Sequence, residues 1–116
     1  MNTIVIGDVH GRYHTFLKML HTLERYGVEE SNLVLLGDYV DRGPYSRQVI
    51  EKIRELEETF PNTIIPLKGN HEDMMWSLYR WDTLTDMYAK NDAFRYGQAF
   101  LVNGGTHTLA SYHSGE

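Results

Sequence analysis

Cysteine is absent from the 116-residue chain. Disulfide staples, thiol nucleophiles and cysteine-ligated zinc are therefore excluded, and a reducing compartment suits the chain. No basic tail or stripe occurs, and the net charge is −5. The electrostatic footprint of a nucleic-acid-binding protein is thus missing, and no nucleic-acid partner is expected. No apolar run approaches the roughly 20 residues of a membrane-spanning helix. The N-terminus leads directly into a strand-like run, without the charged and apolar regions of a secretory signal. A cytoplasmic protein with no membrane partner is the expectation. There is no low-complexity tract, linker or internal repeat, so residues 1–116 read as one domain.

Three short motifs carry the chemistry. They are GDVHG at 7–11, GDYVDRG at 37–43 and GNHE at 69–72. Each follows a β-like run: Thr3-Ile4-Val5-Ile6, Leu33-Val34-Leu35-Leu36 and Thr63-Ile64-Ile65-Pro66-Leu67. These runs are apolar without alternation, as for strands covered on both faces. Between them, Tyr13, Phe16, Leu17, Leu20 and Leu23 recur at helical spacing, closed by Gly27. Val49, Ile50, Ile53 and Leu56 form a second stripe behind Pro44, which suits a helix start. Beyond GNHE, residues 73–88 read as a helix and 92–101 as another, broken by Gly104-Gly105. The order is β-α-β-α-β-α, hence a parallel α/β sheet with helical crossovers. Strand ends at one edge of such a sheet gather distant residues into a crevice.

The motifs deliver Asp8, His10, Asp38, Asp41, Arg42, Asn70 and His71 to that edge. Asp8 and His10 stand two residues apart at a strand end, on one side, and offer an oxygen and a nitrogen to one cation. Asp38 has two carboxylate oxygens and can bridge two cations. Arg42 presents a fork that matches phosphate oxygens and stays charged. Taken singly, each motif also reads as a turn: GD is a common turn pair, and Glu72 suits a helix N-terminus better than a ligand role. Met74, Met75, Trp76 and Tyr79 read as a helix face packed on the core. His14 and His21 read as surface residues, and His113 as part of a frayed tail. No ligand role is known for His107, which lies in the segment NGGTHTLASY at 103–112.

The arrangement resembles the calcineurin-like metallophosphoesterases, in particular their phosphoprotein phosphatase branch. That family spaces its three motifs by about 25 residues, and here 25 residues separate Gly11 from Gly37 and 25 separate Gly43 from Gly69. NGGTHTLASY is similar to a segment of bacterial and phage members. The resemblance implies the first, parallel-sheet half of an α/β/β/α sandwich, an apparently C-terminally truncated domain with one sheet face uncovered. It implies a serine/threonine protein phosphatase with a dinuclear metal centre, in which metal-held hydroxide attacks phosphorus. The substrate would be a phosphorylated protein or a small phosphoester. Symmetrical cleavage of diadenosine tetraphosphate is the alternative chemistry, and an inactive metal- or phosphate-binding module the alternative class.

By the same resemblance the metal ligands are Asp8, His10, Asp38 and Asn70. Arg42, Asn70 and His71 bind the substrate phosphate. His71 is the general acid, oriented by Asp41, and Arg42 stabilises transition-state charge. Two divalent ions are implied, manganese first, with iron or zinc also compatible with oxygen and imidazole donors. Two further metal-binding histidines of the family fall beyond residue 116. The second metal site is therefore expected to be weak, and a partner chain that supplies histidines is one arrangement left open.

Overall fold

The computed structural model describes residues 2–27 and 30–113. Its elements are strand β1 (Thr3–Ile6), helix α1 (Tyr13–Leu23), β2 (Asn32–Leu35), α2 (Ser46–Thr59), β3 (Ile64–Pro66), α3 (Asn70–Arg80), α4 (Met87–Phe100) and α5 (Thr106–His113). The three strands are parallel, in the order β1-β2-β3. The α/β organisation expected from the order of strand-like and helix-like runs is present. Ile4 pairs with Leu33, which pairs with Ile64, and Val5 pairs with Val34, which pairs with Ile65. Pro66 is tolerated because it ends an edge strand, where one side of the ladder is unused.

The pairing separates the two faces. Leu33, Leu35 and Ile64 point into a core completed by Phe16 of α1 and by Val49 and Ile53 of α2. Ile6, Leu20, Leu56 and Phe60 pack around it. The opposite row is open: Val5 is 56% and Ile65 41% exposed. The unalternating strands thus do not signify coverage on both faces. Helices α1 and α2 cover one face, while α3 packs mainly against α4. The radius of gyration, 15.7 Å, exceeds the roughly 13 Å expected of a closed domain of this length.

Helix boundaries depart from the pattern reading in three places. Helix α2 begins at Ser46, and Pro44 lies in the turn before it. The GNHE helix starts at Asn70 and stops at Arg80; a 3₁₀ turn at Trp81–Thr83 follows. Asp86 then caps α4 by accepting from the Ala89 N–H at 2.9 Å. No glycine or proline separates the two helices, only cap-type residues such as Thr83, Thr85 and Asp86. After α4, a kinked turn at Leu101–Gly105 holds Gly104 at φ 101°, and α5 follows. His113 is the last residue of α5. Met74 is buried, but Trp76 and Tyr79 are 50% and 76% exposed, so only part of that helix face is core. Their rings stack 5.6 Å apart along a groove of about 760 Å³ shared with Met75, Leu78, Phe100 and Leu109. No helix among the described residues is long and apolar enough to cross a membrane.

Candidate metal and phosphate site

The three motif loops meet beyond the carboxyl ends of the strands and are stitched together by backbone. The N–H groups of Val9 and His10 donate to Asp38 O at 3.1 and 2.9 Å, and that of Gly11 to Tyr39 O at 2.7 Å. Gly43 N–H returns a bond to His10 O at 2.9 Å. Loops two and three touch so closely that a methyl group on Gly37 would collide with the Gly69 backbone. Four non-glycine residues here hold positive φ: His10 (46°), Asp38 (55°), Asp41 (78°) and Arg42 (72°). Left-handed backbone, rather than simple strand alternation, turns these side chains toward one another.

One ligand atom from each of Asp8, His10 and Asp38 falls within 4.8 Å of the others. His10 Nδ1 lies 2.9 Å from Val40 O. A carbonyl can only accept, so this nitrogen carries a proton and Nε2 is the ring atom left to face a cation. Nε2 faces Asp8 Oδ2 at 3.5 Å. Two carboxylates and an imidazole nitrogen form a donor set that fits a divalent cation of the manganese, iron or zinc type. Asn70, at the first position of α3, sets its amide 3.0 Å from both Asp38 oxygens. Against a bare carboxylate the amide nitrogen is the end that can donate. With a cation between the two groups, the amide oxygen would face inward instead. Asp38 Oδ1 also accepts the His71 N–H at 3.0 Å, so the carboxylate sits on the positive end of α3. Asp38 thus both meets the N-terminus of α3 and lies in the three-residue cluster.

Beside this cluster lies a buried pair. Asp41 Oδ2 accepts from His71 Nδ1 at 2.7 Å, with the two side chains 0% and 5% exposed. The His71 and His10 rings meet edge to face, 4.5 Å between centroids. Arg42 is exposed at the rim, its N–H bonded to Gly104 O at 3.2 Å. Six of the seven motif side chains thus meet at one edge, while Arg42 follows Asp41 directly and packs its Cγ toward Gly104. His14, His21, His107 and His113 are exposed. His14 stacks edgewise on Tyr45 and His21 faces Glu24, neither of them with the cluster.

Pattern reading missed two groups. Glu72 does more than charge a helix end: Oε1 accepts from the N–H of Asp38 (2.6 Å) and Gly69 (2.9 Å), and Oε2 from those of Tyr39 (2.8 Å) and Val40 (3.2 Å). It also bears on the neighbouring Tyr39 hydroxyl, which is kept neutral by the burial of Tyr39 itself and then by the Glu72 charge. Burial first, and Glu72 second, push that phenol up to about 12. The hydroxyl donates to Leu67 O at 2.6 Å. The other missed group is Thr108, whose hydroxyl meets Asp41 across 67 residues of sequence. Only the glycine pair before α5 hinted that the chain turns back.

A parallel sheet that gathers aspartates, histidines and an asparagine at its carboxyl edge, with arginine at the rim, marks a metal-dependent phosphoesterase. The chain belongs to the calcineurin-like phosphoesterase family, whose model matches residues 1–115. Membership implies divalent metal ions. Among its relatives is the serine/threonine-protein phosphatase 4 catalytic subunit of Eremothecium gossypii, 30% identical over 118 aligned positions. That match covers 87% of this chain and 37% of the relative. The serine/threonine-protein phosphatase PP2A-like PPG1 of Candida albicans is 38% identical over 68 residues, 59% of this chain and 16% of its own length. The chain therefore spans well under half of the curated relatives it matches.

Proposed function

We propose that this chain carries the metal- and phosphate-binding half of a phosphoprotein phosphatase. The observation that carries the reading is the adjacency of the Asp8–His10–Asp38 cluster and the Asp41–His71 pair at one sheet edge. Similarity to two serine/threonine phosphatases supports phosphoserine and phosphothreonine esters as the substrate class.

Asp8, His10 and Asp38 would hold one cation, manganese being favoured, and Asp38 with Asn70 a second, weaker one. When bound, divalent ions polarise the phosphoryl oxygens and acidify water. Arg42, exposed beside the buried pair, binds the phosphate and offsets charge that grows in the transition state. Asn70 and His71 line the phosphate position. Because Asp41 engages Nδ1, His71 has only Nε2 with which to deliver a proton to the leaving alkoxide. Asp41 acts on the imidazole and not on the substrate.

Calorimetric titration with Mn²⁺, followed by hydrolysis of an aryl phosphate, tests the reading. Binding and Mn²⁺-dependent turnover that both vanish in Asp38→Asn are expected. A folded wild-type chain that binds no Mn²⁺ would overturn it. A phosphopeptide and a dinucleoside tetraphosphate, compared at equal concentration, separate the protein phosphatase from the nucleotide hydrolase.

A further inference from the structure

We propose that Thr108 is a positioning residue that acts on His71 through Asp41, so that the working unit is Thr108–Asp41–His71. The inference rests on the reading of His71 as the proton donor. Its structural basis is independent of that reading. Thr108 is 1% exposed. Its hydroxyl donates to Asp41 Oδ1 at 2.6 Å, while the other oxygen of the same carboxylate takes the His71 Nδ1 proton at 2.7 Å. In return, the Asp41 backbone N–H donates to Thr108 Oγ1 at 2.7 Å. One hydroxyl therefore grips both the backbone and the side chain of Asp41. A carboxylate held at Oδ1 has no freedom to turn Oδ2 away from the imidazole. The Ser46 hydroxyl also accepts from the Asp41 N–H, at 3.0 Å, and lies 3.1 Å from Thr108 Oγ1, a longer contact than the 2.6 Å from that hydroxyl to Asp41 Oδ1.

The segment around Thr108 is shaped for this contact. Gly104, at φ 101°, reverses the chain after α4 against the Arg42 backbone, where a side chain would strike Arg42 N at 2.7 Å. Helix α5 then runs back along α2, held by the Ser111 hydroxyl, which donates to Thr108 O at 2.7 Å and accepts the Arg47 N–H at 3.2 Å. The same turn bonds Gly104 O to Arg42 N–H. The segment 103–112 thus steadies both the proton donor and the phosphate-binding arginine without itself facing the cluster.

The experiment compares Thr108→Val and Thr108→Ser in two readouts. The first is the tautomer of His71 at fixed pH in metal-free protein, from imidazole ¹⁵N shifts. The wild type and Thr108→Ser are expected to hold the Nδ1–H form. Thr108→Val is expected to mix in the Nε2–H form, because the hydrogen bond at one nitrogen decides where the proton sits. The second readout is Mn²⁺-dependent aryl phosphate hydrolysis. There Thr108→Val should lower kcat by about 10- to 100-fold with KM nearly unchanged, the usual effect of losing an outer hydrogen-bond partner. Thr108→Ser should restore most of it. A Val variant with wild-type tautomer and kcat overturns the proposal. If the Val variant does not fold by circular dichroism, Thr108→Cys, a weaker donor of similar shape, replaces it with an intermediate effect expected. An inactive wild type defeats the phosphatase reading alone, since the tautomer comparison still decides the role of Thr108.

Discussion

Replacing Glu72 by Gln removes one oxygen from a carboxylate whose two oxygens each accept two backbone N–H groups. The amide has one acceptor and one donor end. Whichever way it turns, its NH₂ confronts two N–H donors: Tyr39 and Val40, or Asp38 and Gly69. Two charge-assisted bonds are lost at about 1.5–3 kcal/mol each, before any donor–donor repulsion. Glu72 is only partly buried, so water recovers part of this. A net loss of about 3 kcal/mol is expected, a large share of the 5–15 kcal/mol typical of a domain. Urea unfolding followed by circular dichroism measures it. Glu55→Gln serves as the reference, since its pair with Lys52 at 3.3 Å is exposed on the Glu side and should contribute under about 1 kcal/mol. If Glu72→Gln loses no more than Glu55→Gln, the second and third loops are held by something other than this carboxylate.

Tyr39 is raised from 10.0 to about 12, so folding favours its neutral form. That contribution is complete below pH 10 and is lost as pH climbs toward 12; absorbance at 295 nm should show one tyrosine ionising only with unfolding. Gly37→Ala forces a methyl into the Gly69 backbone at φ 105° and should cost at least about 3 kcal/mol or abolish folding, read by thermal melting. Val5→Thr with Ile65→Thr should change stability by less than about 1 kcal/mol, because both side chains are exposed, yet reduce self-association in sedimentation velocity. Unchanged association would mean that the bare sheet face is not adhesive.

The fold and most of the site were legible in the sequence because glycines punctuate it. Gly7, Gly37 and Gly69 end the strand runs, and the polar residues that follow them converge at the sheet edge. Residue pattern could not reveal what depends on contacts between loops. The four-donor role of Glu72 needs the second loop wrapped over the N-terminus of α3. The Thr108 contact needs a kinked turn and a helix that weak amphipathic patterning left unseen. The separation of α3 from α4 was also hidden, since aromatic and methionine residues continue across residues 81–88 without a conventional breaker. Strand pattern pointed to coverage on both faces, while the family resemblance pointed to one bare face, and the bare face is what Val5 and Ile65 show; an apolar strand looks alike in either case.

Four side chains at the site owe their placement to backbone angles that suit glycine. Non-glycine residues in the left-handed region carry roughly 1–2 kcal/mol each, somewhat less for aspartate. A glycine at 10, 38, 41 or 42 would relax that local conformation while deleting the group it presents. A library of variants sorted only for resistance to heat should therefore drift toward glycine at some of these positions, and the same library sorted for manganese retention should reject it. Two screens on one gene would then map, position by position, where selection for chemistry has held the polypeptide away from its most comfortable shape.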